Sequence, residues 1–114
     1  MNEDRPRVYV VQETQHSLAG AETYGDVTFL LPRSANVTFA NQPQVREIRR
    51  KLRNYDGARD YILPVGDPAA IGIAIATAGQ VANGYVKVLK YDQRQRRYYA
   101  ISVDLYDRVP QPVS

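Results

Sequence analysis

The stretch that most restricts the fold is residues 60–106, DYILPVGDPAAIGIAIATAGQVANGYVKVLKYDQRQRRYYAISVDLY. Residues 60–65 are β-branched and apolar enough for a strand, and Pro64 places it at an edge or near its end. Asp67-Pro68 then supplies a helix cap followed by proline at the first helical position. The alanine-rich run that follows closes at about residue 82 on Asn83-Gly84, a left-handed C-cap. Ile71, Ile73 and Ile75 alternate with Gly72, Ala74 and Ala76, which is the period of a strand. Alanine content, a cap at each end and a length of ~14 residues favour a helix over 68–82 instead.

A helix with almost no polar face before Thr77 and Gln80 has to be buried on more than one side. Its small residues form two stripes, Ala70/Ala74/Ala78 and Gly72/Ala76. Either stripe permits close backbone approach, to a sheet or to the same helix of a second copy. Residues 85–91 and 97–106 read as a hairpin around a polar turn. Tyr99, Ile101, Val103 and Leu105 are expected to face the helix. Tyr98, Ala100, Ser102, Asp104 and Tyr106 then line a wetter face.

Upstream, residues 7–12 (RVYVVQ) and 24–31 (YGDVTFLL) read as strands, separated by a polar loop over 13–21. Residues 36–39 (NVTF) read as a short third strand, turned back onto the second through 32–35. Val45, Ile48, Leu52 and Tyr55 recur at i, i+3, i+7 and i+10, predicting an amphipathic helix over about 43–54. Asn41 or Gln42 caps it, Pro43 fits its first turn, and Glu47–Lys51 is an i, i+4 pair of favourable order. Residues 1–6 and 108–114 are expected to be extended or frayed. The expected architecture is one α+β domain over 1–114. Its antiparallel or mixed sheet of five to six strands is covered by two helices and ends in the hairpin 85–106.

Composition removes several chemistries. The chain has no cysteine and one histidine, His16, so thiolate metal sites, cysteine nucleophiles and multi-histidine sites are excluded. No apolar run approaches the ~18 residues of a membrane span, and the acidic start MNEDRPR is unlike a secretory leader. Cytoplasm is the expected compartment. His16 adjoins Ser17, but neighbours in sequence rarely form a base–nucleophile pair. Glu22, Asp26, Asp60, Asp92 and Asp104 are dispersed. Neither G-x-x-x-x-G-K-[ST] nor G-x-G-x-x-G occurs, and Asp67 in the Gly66-Asp67 turn would cap the helix and repel an anion. No catalytic residue, metal site or cofactor is expected.

Net charge is +3, and the placement of the arginines matters more than their number. Arg46, Arg49, Arg50 and Arg53 lie at i, i+3, i+4 and i+7 on one helical face, with no acid within the stripe. Such a row can follow phosphates; the alternative is the solvated outer face of an ordinary amphipathic helix. Arg94, Arg96, Arg97 and Tyr98 at the hairpin tip join cations to aromatic rings, the chemistry of single-strand binding. The alternative there is a polar turn flanked by tyrosines of high strand propensity.

The run DYILPVGDPAAIGIA, followed by VKVLKYDQRQRRYYAISVDL, resembles a group of small bacteriophage-encoded proteins. The opening RVYVVQE and the amphipathic helix at 45–53 share the likeness. The resemblance implies a viral origin and a host-cell cytoplasm. It points to genome handling or the binding of a host enzyme. The residues and the likeness together lead to a non-enzymatic accessory protein binding nucleic acid or a nucleoprotein complex through arginines. The alternative is a protein–protein module, either a homo-oligomer or an inhibitor of a host protein. A small ligand-binding protein or enzyme is the third reading.

Overall fold

In the computed structural model, which describes residues 5–108, the β-branched run Arg7–Gln12 forms strand β1, one in from the edge of a five-stranded sheet. Asp26–Leu31 (β2), Tyr61–Leu63 (β3), Tyr85–Asp92 (β4) and Arg97–Asp104 (β5) complete it, in the order β2-β1-β3-β4-β5. The first four strands are mutually parallel, and β5 returns antiparallel to β4. The sheet is therefore mixed, one of the two forms expected.

Helix α1 (Gln42–Leu52) links β2 to β3, and helix α2 (Pro68–Val81) links β3 to β4. Ile48 and Leu52 of α1 and Ala70, Ala74 and Ala78 of α2 pack with Tyr9, Val11, Ile62 and Val86 of the sheet. The β1–β2 connection steps the other way along the sheet. Because parallel crossovers are right-handed, steps in opposite directions land on opposite faces. The connection accordingly covers the second face, where Leu18, Ala21 and Tyr24 pack on Val8, Val10, Leu63 and Leu89.

The expected caps of α2 form, whereas Asn41 at the start of α1 makes no side-chain cap and donates to the Thr38 carbonyl instead. Asp67 Oδ1 accepts from the Ala69 N–H at 2.8 Å, and Asn83 and Gly84 take positive φ beyond the end of α2. The isoleucines of α2 are only partly buried, as follows when a helix rather than a strand spaces them. Helix α1 ends at Leu52, with Arg53 as its C-cap. The buried Tyr55 therefore belongs to the returning loop rather than to the helix.

One expected strand is absent. Residues 36–39 run as an irregular bend, and among the described residues β2 pairs with β1 alone. After β2 the chain turns into the crossover to α1 rather than back along the open edge of β2. Side chains satisfy the bend's polar groups instead. Gln12 Nε2 donates to the carbonyls of Pro32, Arg33 and Ala35, the last at 2.7 Å, and the Val37 N–H donates to Asp67 Oδ2.

The hairpin faces fall as expected, but one is barely covered. Val86 pairs with Val103, Val88 with Ile101 and Lys90 with Tyr99, which puts the odd residues of β5 on the helix side. Leu105 reaches Gly79 of α2, yet Tyr99, Ile101 and Leu105 remain 39%, 36% and 49% exposed. Among the residues expected to be frayed, Arg5 pairs with Asp26, and Arg108 pairs with Asp104. Residues 1–4 and 109–114 of those stretches lie outside the described residues.

Candidate anion-binding cleft

Helix α1 runs antiparallel to the strands, so its C-terminal turn meets the starts of β1 and β2. Carbonyls at that helix end favour cations, and Arg49, Arg50 and Lys51 occupy the last turn. Between this turn and the strand starts lies a cleft of about 400 Å³. Arg5, Arg7, Arg50, Lys51, Arg53 and Arg59 line it, with Asp56 and Asp60 as its acids.

Asp60 is buried and committed internally. Its carboxylate accepts from the Arg7 N–H and the Asp56 N–H, each at 2.9 Å, which fastens the 56–60 turn to the start of β1. The Asp56 carboxylate accepts from the Ala58 N–H. Arg5 is held by Asp26, and Arg50 forms a two-pronged bond to Glu47, each prong 2.9 Å. Lys51 donates to the Phe29 carbonyl at 2.7 Å and lies 3.6 Å from Glu47. Arg50 holds the Glu47 carboxyl below its ordinary range. Among the described residues, the guanidinium groups of Arg7 and Arg53 have no hydrogen-bond or ion-pair partner.

Burial, followed by the charge of Asp60, pushes the Tyr9 phenol at the cleft wall up, away from neutrality. Among the described residues no group of three His, Cys, Asp or Glu side chains is placed to hold a metal ion.

The expected arginine stripe is divided by this geometry. Arg50 and Arg53 line the cleft, Arg49 donates to Gln80 Oε1 of α2, and Arg46 is exposed outside it. The stripe is not free of acid, because Glu47 lies three residues before Arg50 and binds it. Arg5, Arg7 and Arg59 were not among the residues expected from the sequence. Arg5 and Arg7 straddle a proline just before a strand, a position that brings both to the sheet's end.

The hairpin basic group lies elsewhere. Because β4 is parallel to β1, its turn emerges at the opposite end of the sheet from Arg7. Eight strand residues span roughly 26 Å, so the two basic groups are separate points. Arg96 and Arg97 border a shallow hollow with Gly20, Thr23 and Tyr24. Tyr98 is half-buried, edge-on to Tyr91, and its carbonyl accepts from the Tyr24 hydroxyl. Its ring therefore serves mainly to pack the hairpin onto the 13–25 connection.

The loops beside Gly66-Asp67 occupy the point where strand order reverses, the usual ligand crevice of an open parallel sheet. A hollow of about 490 Å³ remains there, with Arg33, Asn36 and Asp67 on its lining, and Gln12 braces its wall. Beyond its three donated bonds, its Oε1 accepts from the Asp67 N–H at 2.9 Å, and a Cβ on Gly66 would lie 2.5 Å from the Gln12 Cβ. Ser17 Oγ accepts from the Ala19 N–H, so His16-Ser17 belongs to a local turn.

These observations define an α+β chain with helices on one sheet face and a cation-lined cleft at the sheet's N-terminal end. Over residues 6–105 it matches the model of the Phage Pam3 gp32-like protein family, and it belongs to that family. The protein is thus of phage type, as its resemblance implied. No curated protein and no solved structure matches the chain. Among the described residues no helix is long and apolar enough to cross a membrane.

Proposed function

We propose that this phage protein is a non-enzymatic accessory factor that acts in the host cytoplasm and binds the phosphate backbone of nucleic acid through the cleft. The observation that supports this reading is the charge balance of that concave surface. Six cations line it against two acids, and although Asp26 and Glu47 engage Arg5, Arg50 and Lys51, the guanidinium groups of Arg7 and Arg53 stay open to a phosphate. Arg7 and Arg53 supply the principal phosphate contacts, with Arg50 and Arg59 beside them. Arg46 and Arg49 extend the basic surface along α1. Arg94, Arg96 and Arg97 form a second contact point at the other end of the sheet. A duplex touching both points would run for roughly 26 Å, or seven to eight base pairs.

Amide chemical shifts followed during titration with short single- and double-stranded DNA and RNA test the assignment. Shifts concentrated at residues 5–9 and 50–60 are expected. Shifts confined to 92–98 would transfer the site to the hairpin, and no shifts at low salt would reject nucleic acid as the partner.

A further inference from the structure

Strand β5 is the edge of the sheet furthest from the cleft-bearing β2 side, and among the described residues it pairs with β4 alone. It holds a regular register over eight pairs, from Arg97 opposite Asp92 to Asp104 opposite Tyr85. Exposed edge strands are normally protected by a central lysine, a proline, a bulge or an inward charge. Between Arg97 and Asp104 the sequence is YYAISV, which contains none of these. The opposite edge is protected: Lys51 donates to the Phe29 carbonyl of β2, and Arg5 pairs with Asp26. Tyr99 and Ile101 also present uncovered apolar surface on the helix side of β5.

We infer that β5 is the docking edge for a second copy of this chain, the two β5 strands pairing antiparallel about a two-fold axis. Charge selects this occupant. Around its start Arg94, Arg96 and Arg97 outweigh Asp92, and around its end Asp104 and Asp107 outweigh Arg108, which is itself bonded to Asp104. Antiparallel self-pairing brings each basic end against the acidic end of the other copy, twice in one interface. A two-fold axis perpendicular to the sheet keeps equivalent faces on the same side, and residues directly opposite share a face. The register centred on Ala100 meets this condition. It sets Tyr99 of each copy opposite Ile101 of the other, an aromatic–β-branched pair. The result is a continuous ten-stranded sheet that leaves both clefts at its outer edges. This inference does not depend on what the clefts bind.

Sedimentation equilibrium on the full chain tests it, using the wild type, Ile101→Lys, Tyr99→Glu and an equimolar mixture of the two variants. Both side chains are over a third exposed, and circular dichroism checks that each variant keeps its fold. The wild type should dimerise. Each variant alone should self-associate roughly tenfold more weakly or worse. The mixture should recover a dimer. In it the introduced lysine of one variant faces the introduced glutamate of the other, while a native Tyr–Ile pair is restored at the second position. A wild type monomeric at the highest attainable concentration would overturn the inference. So would a dimer indifferent to both variants, or a mixture that fails to recover.

Discussion

Gln12 is the residue that braces the crevice where the strand order reverses. One side chain donates to three carbonyls of the 32–35 bend and accepts from the first N–H of the turn into α2. Gln12→Ala strands these buried groups and should cost about 2–3 kcal/mol in chemical denaturation. Tyr55 does similar work at the other end of the sheet. Its hydroxyl accepts from the Lys87 N–H at 3.0 Å, and burial, with added repulsion from Asp60, pushes its pKa up to about 12. A phenol raised in the folded state contributes stability that is fully present below its unfolded pKa of about 10. That contribution is lost as pH rises through about 12. Thermal melts should therefore show wild type losing its advantage over Tyr55→Phe across this window. A pH-independent difference would show that Tyr55 does not titrate with unfolding. At the acid end, Arg108 holds the Asp104 carboxyl down to about 2. Its contribution is present above the ordinary aspartate value and is lost as pH falls through about 2. The deficit of Asp104→Asn should accordingly shrink toward zero in acid.

Among the elements, α2 offers the sharpest test of packing. A Cβ on Gly72 would meet nothing within 4 Å, whereas one on Gly79 would lie 2.6 Å from Leu105 Cδ1. Gly72→Ala should stabilise by about 0.5–1 kcal/mol through helix propensity alone. Gly79→Ala should gain less or lose, since Leu105 has to move; equal gains would mean that Leu105 does not rest on α2. The identity of α2 was legible because its caps and alanine content outweighed the alternation of its isoleucines. Helix α1 was legible from Ile48 and Leu52, although Tyr55, in phase with them, lies beyond its end. Residues 36–39 misled because NVTF has strand propensity, while Asp67 and Asn41 take up its backbone groups in the crossover to α1. That crossover is set by long-range pairing, which local pattern does not record. The cleft was half legible for the same reason. Arg50 and Arg53 stand in a visible helical row, but Arg5, Arg7 and Arg59 join them only once β1 lies beside β3. The Glu47–Arg50 bond was readable at i, i+3, and it changes the value of the row by neutralising one member.

At the scale of the whole molecule, net charge of +3 is modest, and distribution decides what it can do. Cations gather at two opposite ends of the sheet, one concave and one a convex turn, while apolar surface collects on β5. The central claim is that the concave end binds nucleic acid phosphates through Arg7 and Arg53. Fluorescence-anisotropy titrations over a range of salt concentrations test it most directly, comparing wild type with the Arg7→Ala/Arg53→Ala double variant. Each lost phosphate contact lowers the slope of log K against log salt by about 0.7 on single strands and about 0.9 on duplex. The double variant should therefore bind more weakly, with a slope shallower by about 1.4–1.8. Unchanged affinity and slope in a folded double variant would contradict the claim.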